Sequence, residues 1–279
     1  MLRAMFTFFY LSININVTRI LVQKKKFAYH YIMKYELETI PVWDSFEKNT
    51  ECPLCFLYKK VEKGFIQFFL GGSVMQPHIR GKVNKLGFCP QHLNMLYTGG
   101  NKLGLALMTH TNIKYCIKIL EDMEKKMLPN KWETIPSNKF KKGIAREQLN
   151  KYISLLKSFS PTCYCCEKLK IALRHYAYTI VHLWKKEPQF KKMLSNSKGF
   201  CFSHTGDIME MVVEVLSGKE KNSFLLEFIK LQKNNTLRLE HDILWYIQKF
   251  DHKNKDKPWK NSKDALPRTI QKLSGNEFK

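Results

Sequence analysis

Cys52-Pro-Leu-Cys55 is answered downstream by Gly87-Phe-Cys89-Pro-Gln-His92. The same two phrases return as Cys163-Tyr-Cys-Cys166 and Gly199-Phe-Cys201-Phe-Ser-His204. From Cys55 to Cys89 is 34 positions and from Cys166 to Cys201 is 35. A spacing kept this closely in one chain points to an internal duplication. Three thiols and an imidazole are the ligand set of a closed tetrahedral zinc site. The expectation is two zinc ions, one per repeat. The first would be held by Cys52, Cys55, Cys89 and His92, the second by Cys163, Cys166, Cys201 and His204.

The spacing has a physical basis. In a CxxC turn both sulfurs can converge on one ion, with nearby backbone N–H groups stabilising the thiolates. In CxxH at a helix start, residues three apart share a face. Pro90 suits the first helical position, which needs no N–H. Gly87 and Gly199 sit where a turn with positive φ is wanted. A thiol-redox pair is the competing reading, but it prefers a βαβ context that is missing here. Paired disulfides would require an oxidising compartment. Four protein ligands fill the coordination sphere, which favours structural over catalytic zinc. Of the remaining thiols, Cys116 reads as a buried apolar residue on a helix. Cys165 competes with Cys163 as a ligand, although Cys163 preserves the repeat better.

With 279 residues, 44% hydrophobic and 13% aromatic, the chain can bury a real core. Its formal charge is +23, and thiolate–zinc sites would lower this only slightly. Such a balance suits nucleic acid or an acidic protein as partner, while abundant Lys, Asn and Ile also fit an AT-rich coding sequence. The run from Lys125 to Lys157 carries nine basic residues against Glu133 and Glu147. Lys131, Lys139, Lys141, Lys142 and Arg146 are its candidate anion-binding residues, weighed against a solvated face.

Along the chain, residues 1–32 are basic and hold an apolar run too short to span a bilayer. They read as a non-native extension or a flexible arm, with Met33 as the natural start. A first zinc-helical repeat over 33–128 is expected to have helices after Cys55 and His92. A polar connection should run from Gly71-Gly72 to Gly87, and a long helix should carry an apolar core stripe from Leu103 to Met127. A linker over 129–145 contains Pro129 and Pro136. The second repeat, 146–250, has the same plan, and 251–279 is a charged tail with a short helix near Pro267. No segment alternates like a strand, so the fold class is all-α.

From Met33 to Gly275 the chain resembles an uncharacterised bacterial family of unknown function found in anaerobic Gram-positive species. The matching phrases are Thr39-Ile-Pro-Val-Trp43, the two Gly-Phe-Cys-x-x-His units, Cys52-Pro-Leu-Cys55 and Lys263-Asp-Ala265. The second CxxC departs from the expected Cys-Pro-x-Cys, and Leu266-Pro267 replaces Trp-x in the closing phrase. Some members carry the label of transporter solute-binding protein, but no lipidation cysteine or α/β pattern supports that here. The resemblance implies fold and boundaries and brings no activity.

The resulting expectation is a cytoplasmic, zinc-stabilised helical binding or scaffold protein, with membrane association disfavoured. The alternative is a thiol-redox or metal-handling protein that works through its CxxC pairs. No nucleophile elbow, P-loop, HExxH or paired-carboxylate motif argues for an enzyme.

Overall fold

Each of the four cysteine phrases opens a helix. The computed structural model describes residues 39–127, 146–158 and 162–275. Among them are eleven α-helices, two short 3-10 turns (Gly72–Met75 and His252–Asn254) and no strand. The first five helices are α1 (Thr39–Glu47), α2 (Pro53–Leu70), α3 (Pro77–Leu86), α4 (Pro90–Thr98) and α5 (Lys102–Met127). Then follow α6 (Arg146–Ser158), α7 (Tyr164–Lys186), α8 (Pro188–Asn196), α9 (Phe202–Val215), α10 (Gly218–Gln248) and α11 (Ala265–Ser274). The all-α expectation holds. Residues 1–32, the 129–145 linker and Lys131, Lys139, Lys141 and Lys142 lie outside the described residues, whereas Arg146 opens α6 and is exposed.

The duplication reaches well beyond the cysteines. Both α1–α5 and α6–α10 run as a lead-in helix, a CxxC helix, a short helix, a CxxH helix and a long helix. The short members are α3 and α8, each with a proline at its start, where a missing N–H costs nothing. The expected polar connection before Gly87 is in fact α3. It has few apolar residues, but Ile79 and Val83 are four apart and both buried, which suffices for one face.

The packing units cut across the two sequence repeats. One unit takes the described residues up to Leu57 together with those from Leu173 onward; the other is Tyr58–Ala172. The chain passes from one to the other inside α2 and inside α7. Each unit therefore combines the CxxC phrase of one repeat with the CxxH phrase of the other.

In the Leu57/Leu173 unit the core is aromatic. Phe190 takes Trp43 and Phe46 of α1 edge-on at 5.2 and 5.0 Å, and Phe200 packs against Phe228 at 5.7 Å. In the Tyr58–Ala172 unit Phe69 is central, touching Phe88 at 5.1 Å and Tyr164 at 5.5 Å. There α3 is fastened to α5 by polar bonds. Asn112 donates to the Val83 and Asn84 carbonyls, and Arg80 to that of Leu107. The apolar stripe read along 103–127 is not the buried one. Leu105 and Met108 are buried, whereas Leu103, Ile113, Ile117 and Leu120 are exposed. The helix carries apolar residues on two sides, and periodicity alone does not say which side α3 covers.

Candidate metal centres

The Gly-Phe-Cys-x-x-His phrase is a compact device, built the same way twice. Gly87 (φ 61°) and Gly199 (φ 72°) turn the chain through the left-handed region. The next residue, Phe88 or Phe200, is buried in its unit's core and anchors the turn. The cysteine then takes an extended N-cap conformation, at φ −68°, ψ 162° for Cys89 and φ −65°, ψ 162° for Cys201. This brings the histidine into the first helical turn on the same side. In the CxxC phrases, the backbone N–H of Cys55 donates to Cys52 Sγ (3.4 Å), and that of Cys166 to Cys163 Sγ (3.5 Å). All four phrases thus place sulfur at the positive end of a helix, which favours thiolate.

Two quartets result. Cys52, Cys55, Cys201 and His204 form one, here called centre 1; Cys89, His92, Cys163 and Cys166 form the other, centre 2. The eight residues are those the sequence marks out, but the assignment of one site to each repeat is wrong. Each CxxC pairs with the CxxH of the other repeat. The ligand types are identical in either pairing and the spacings differ by one residue, so the motif cannot distinguish them.

The geometry fits a tetrahedral ion. Zinc–sulfur and zinc–nitrogen bonds of ~2.3 and ~2.0 Å imply tetrahedron edges of roughly 3.8 Å (S···S) and 3.6 Å (S···N). In centre 1, Cys55 Sγ lies 3.6 Å from Cys201 Sγ, and His204 Nδ1 lies 3.4, 3.4 and 3.2 Å from the sulfurs of Cys52, Cys55 and Cys201. In centre 2, Cys89 Sγ is 3.9 Å from Cys166 Sγ, and His92 Nδ1 is 3.1, 3.4 and 3.4 Å from Cys89, Cys163 and Cys166. These sulfurs stand well beyond the ~2.05 Å of a disulfide. Both quartets are able to hold a metal ion.

Hydrogen bonds explain the pairing in centre 2. The Tyr164 N–H donates to the Gly87 carbonyl (3.0 Å), and the Thr162 hydroxyl to that of Leu86 (2.8 Å). The second CxxC loop is thereby laid along the first Gly-Phe-Cys turn. Tyr164 stands where the first repeat has Pro53, and proline could not donate. In centre 1 the equivalent residue is Pro53, and the clasp comes from α11. Lys272 donates to the Lys198 carbonyl (2.7 Å) just before Gly199, and Gly275 lies against the sulfurs of Cys201 and Cys55. Burial pushes the Lys272 ammonium down, opposed by the charges of Glu51, Cys52 and Cys201. Glu51, also buried, pairs with Arg238 (2.5 Å) and Lys198 (3.5 Å).

One functional residue was missed by the sequence reading. Glu62 of α2 accepts from His92 Nε2 at 3.2 Å, fixing which imidazole nitrogen faces the sulfurs. The available signal was an acidic residue seven positions after Cys55, where the second repeat has Leu173. Helix α2 consequently supplies Cys55 to centre 1 and the histidine brace to centre 2. Cys163 takes the ligand position, whereas Cys165 is fully buried in the core and burial pushes its thiol up. Cys116 is only partly buried. His175 is buried and His182 stacks on Tyr178; neither belongs to a quartet.

The thiols and imidazoles of each quartet shift one another's ionisation in opposite directions. Hydrogen bonds with Cys52 and Cys55 hold the Cys201 thiol far below the ordinary range. Burial opposes ionisation of Cys163, yet His92 and the Cys166 N–H bring it down to about 6. Burial also opposes charge on His204, but its bonds to Cys201 and Cys52 raise it to about 10. The His92 imidazole is raised as well, chiefly by Cys163.

The model of the Family of unknown function (DUF6062) matches residues 33–279, a span that takes in all eight ligands. The chain belongs to this family. The DUF6062 match starts at Met33, and it agrees with the family read from the motifs. A relative is the Uncharacterized 23.9 kDa protein in xynA 3'region of Caldicellulosiruptor sp. (strain Rt8B.4). It is 23% identical over 207 residues, covering 74% of this chain and 86% of the relative. No solved structure matches the chain. No described helix is long and apolar enough to cross a membrane.

Proposed function

We propose that this DUF6062 protein is a zinc-stabilised helical scaffold, in which each Cys₃His quartet holds one structural zinc ion. The observation that carries the reading is the convergence of three sulfurs and one Nδ1 in each quartet at tetrahedral edge lengths. Four protein ligands leave no open position for substrate, which argues for a structural role. Each quartet also joins distant segments, such as Cys52 with His204 and Cys163 with His92. Structural zinc contributes ~10–16 kcal/mol of apparent binding free energy in small zinc-folded modules, enough to decide whether such segments stay together. Elemental analysis of purified protein tests this. Two tightly held zinc equivalents, whose removal by chelator lowers the melting temperature, are expected. Metal-free protein that melts at the same temperature contradicts the reading.

Exposure favours a second reading for centre 2 alone. Cys166 is exposed and Cys89 half-buried, whereas the three cysteines of centre 1 are buried. A thiol-redox or metal-handling role therefore belongs to centre 2. Rapid alkylation of Cys166 in the zinc-loaded protein, with release of one zinc, supports this role. Protection of Cys166 by the bound ion counts against it.

A further inference from the structure

We infer that the protein forms a two-fold symmetric dimer through the outer face of α10, paired antiparallel with the same helix of a second copy. The helix runs for 31 residues, and one side of it is apolar and uncovered. Leu226, Ile229, Leu237, Leu244 and Ile247 are 73, 53, 48, 45 and 60% exposed. Their spacings, with Lys233 and Glu240 between them, are all three or four residues, those that keep side chains on one helix face. At ~100° per residue these seven positions fall within roughly one quarter of the helix circumference. A stripe this continuous on a surface helix marks an interaction site.

The order along the stripe identifies the occupant. Reversed about a point between Thr236 and Leu237, six of the seven positions exchange in pairs, and Leu237 falls opposite Thr236 beside the axis. Leu226 then meets Ile247 of the other copy, Ile229 meets Leu244, and Lys233 meets Glu240. A two-fold interface requires this reciprocity, since each surface must complement itself. The two charges would form two equivalent ion pairs flanking the axis. In a parallel pairing Lys233 would face Lys233 and Glu240 would face Glu240. Glu240 and Lys233 are both exposed, and the contact of Glu240 with the neighbouring His241 (3.6 Å) is between exposed side chains. Beside the seam, Phe202 of α9 is 51% exposed and lines a shallow apolar groove with Ile229 and Leu237, widening the surface available to the partner.

The test uses the full zinc-loaded chain in sedimentation velocity across a concentration series. Wild type should sediment as a dimer that dissociates on dilution. Lys233→Glu and Glu240→Lys, each of which sets like charges opposite one another, should each weaken association by about tenfold or more. The double reversal should restore it. The exposed positions leave the fold intact, which circular dichroism of each variant checks. A monomer at every attainable concentration overturns the inference and leaves the stripe to a different partner. So does a dimer indifferent to the single reversals, which is the outcome a parallel pairing gives.

Discussion

Cys52 Sγ lies 3.4 Å from Nδ1 of His204, a residue 152 positions away in the other repeat. Cys163 Sγ and His92 Nδ1 stand in the reciprocal relation, also at 3.4 Å. Duplication of a CxxC…CxxH unit has therefore produced two quartets able to hold a metal ion, each shared between the copies. Neither repeat holds a complete ligand set in its own packing unit, so the two halves depend on each other to close their centres.

Removing the brace on His92 should loosen centre 2 selectively. With Glu62→Gln the imidazole loses its charged acceptor, and loss of such partners costs about 10–100-fold in metal affinity. Chelator competition should show one zinc released more readily and the other unchanged. Equal release of both would mean that Glu62 does not act through His92.

Gly87→Ala and Gly199→Ala should differ in cost. Both force a side chain into the left-handed region, worth about 1–2 kcal/mol. At Gly87 the added methyl meets open space, whereas at Gly199 it would stand 2.4 Å from Gln232 Oε1. That oxygen accepts from the Phe200 N–H (3.2 Å), and the Gln232 amide donates to Thr205 (2.6 Å). Displacing Gln232 adds roughly 1 kcal/mol or more through lost hydrogen bonds. Denaturant titration should rank Gly199→Ala below Gly87→Ala in stability; the reverse order would contradict this account of the turn.

Metal affinity should rise with pH. Hydrogen bonding to Cys201 raises the Cys55 thiol, and His204 is raised to about 10, so both hold protons at neutral pH until metal displaces them. Protons released on binding make binding tighter as their concentration falls. Apparent affinity should increase between about pH 6 and pH 8, and binding in weak buffer should acidify the solution. Affinity independent of pH would show that the ligands are already deprotonated.

Cys165→Ala should keep both metal equivalents, with only a modest loss of stability for a small buried thiol. Cys163→Ser should lose one. Metal loss in the Cys165 variant would exchange the two residues' roles.

The helices and the eight ligands were legible because each rests on local pattern: apolar spacing, a glycine turn, a proline start, a cysteine pair. Helix α3 was missed because two buried residues, Ile79 and Val83, give too little periodicity against a polar background. The covered side of α5 was misread because Leu105 and Met108 share the helix with an equally apolar opposite side. The pairing of the centres was out of reach for a different reason. In centre 2 it depends on the bond of Tyr164 to Gly87, 77 positions back, and no local preference encodes which of two like turns a loop will meet. Glu62 was overlooked because its partner is 30 positions on and only the fold brings them together.

Zinc counts in two double variants test the shared centres most directly. Cys52→Ser with Cys201→Ser removes two ligands of the same quartet, so one zinc should remain bound. Cys52→Ser with Cys89→Ser damages both quartets, so none should remain. The reverse result, with no zinc in the first variant and one in the second, would mean that each repeat closes its own centre and would contradict the exchanged pairing.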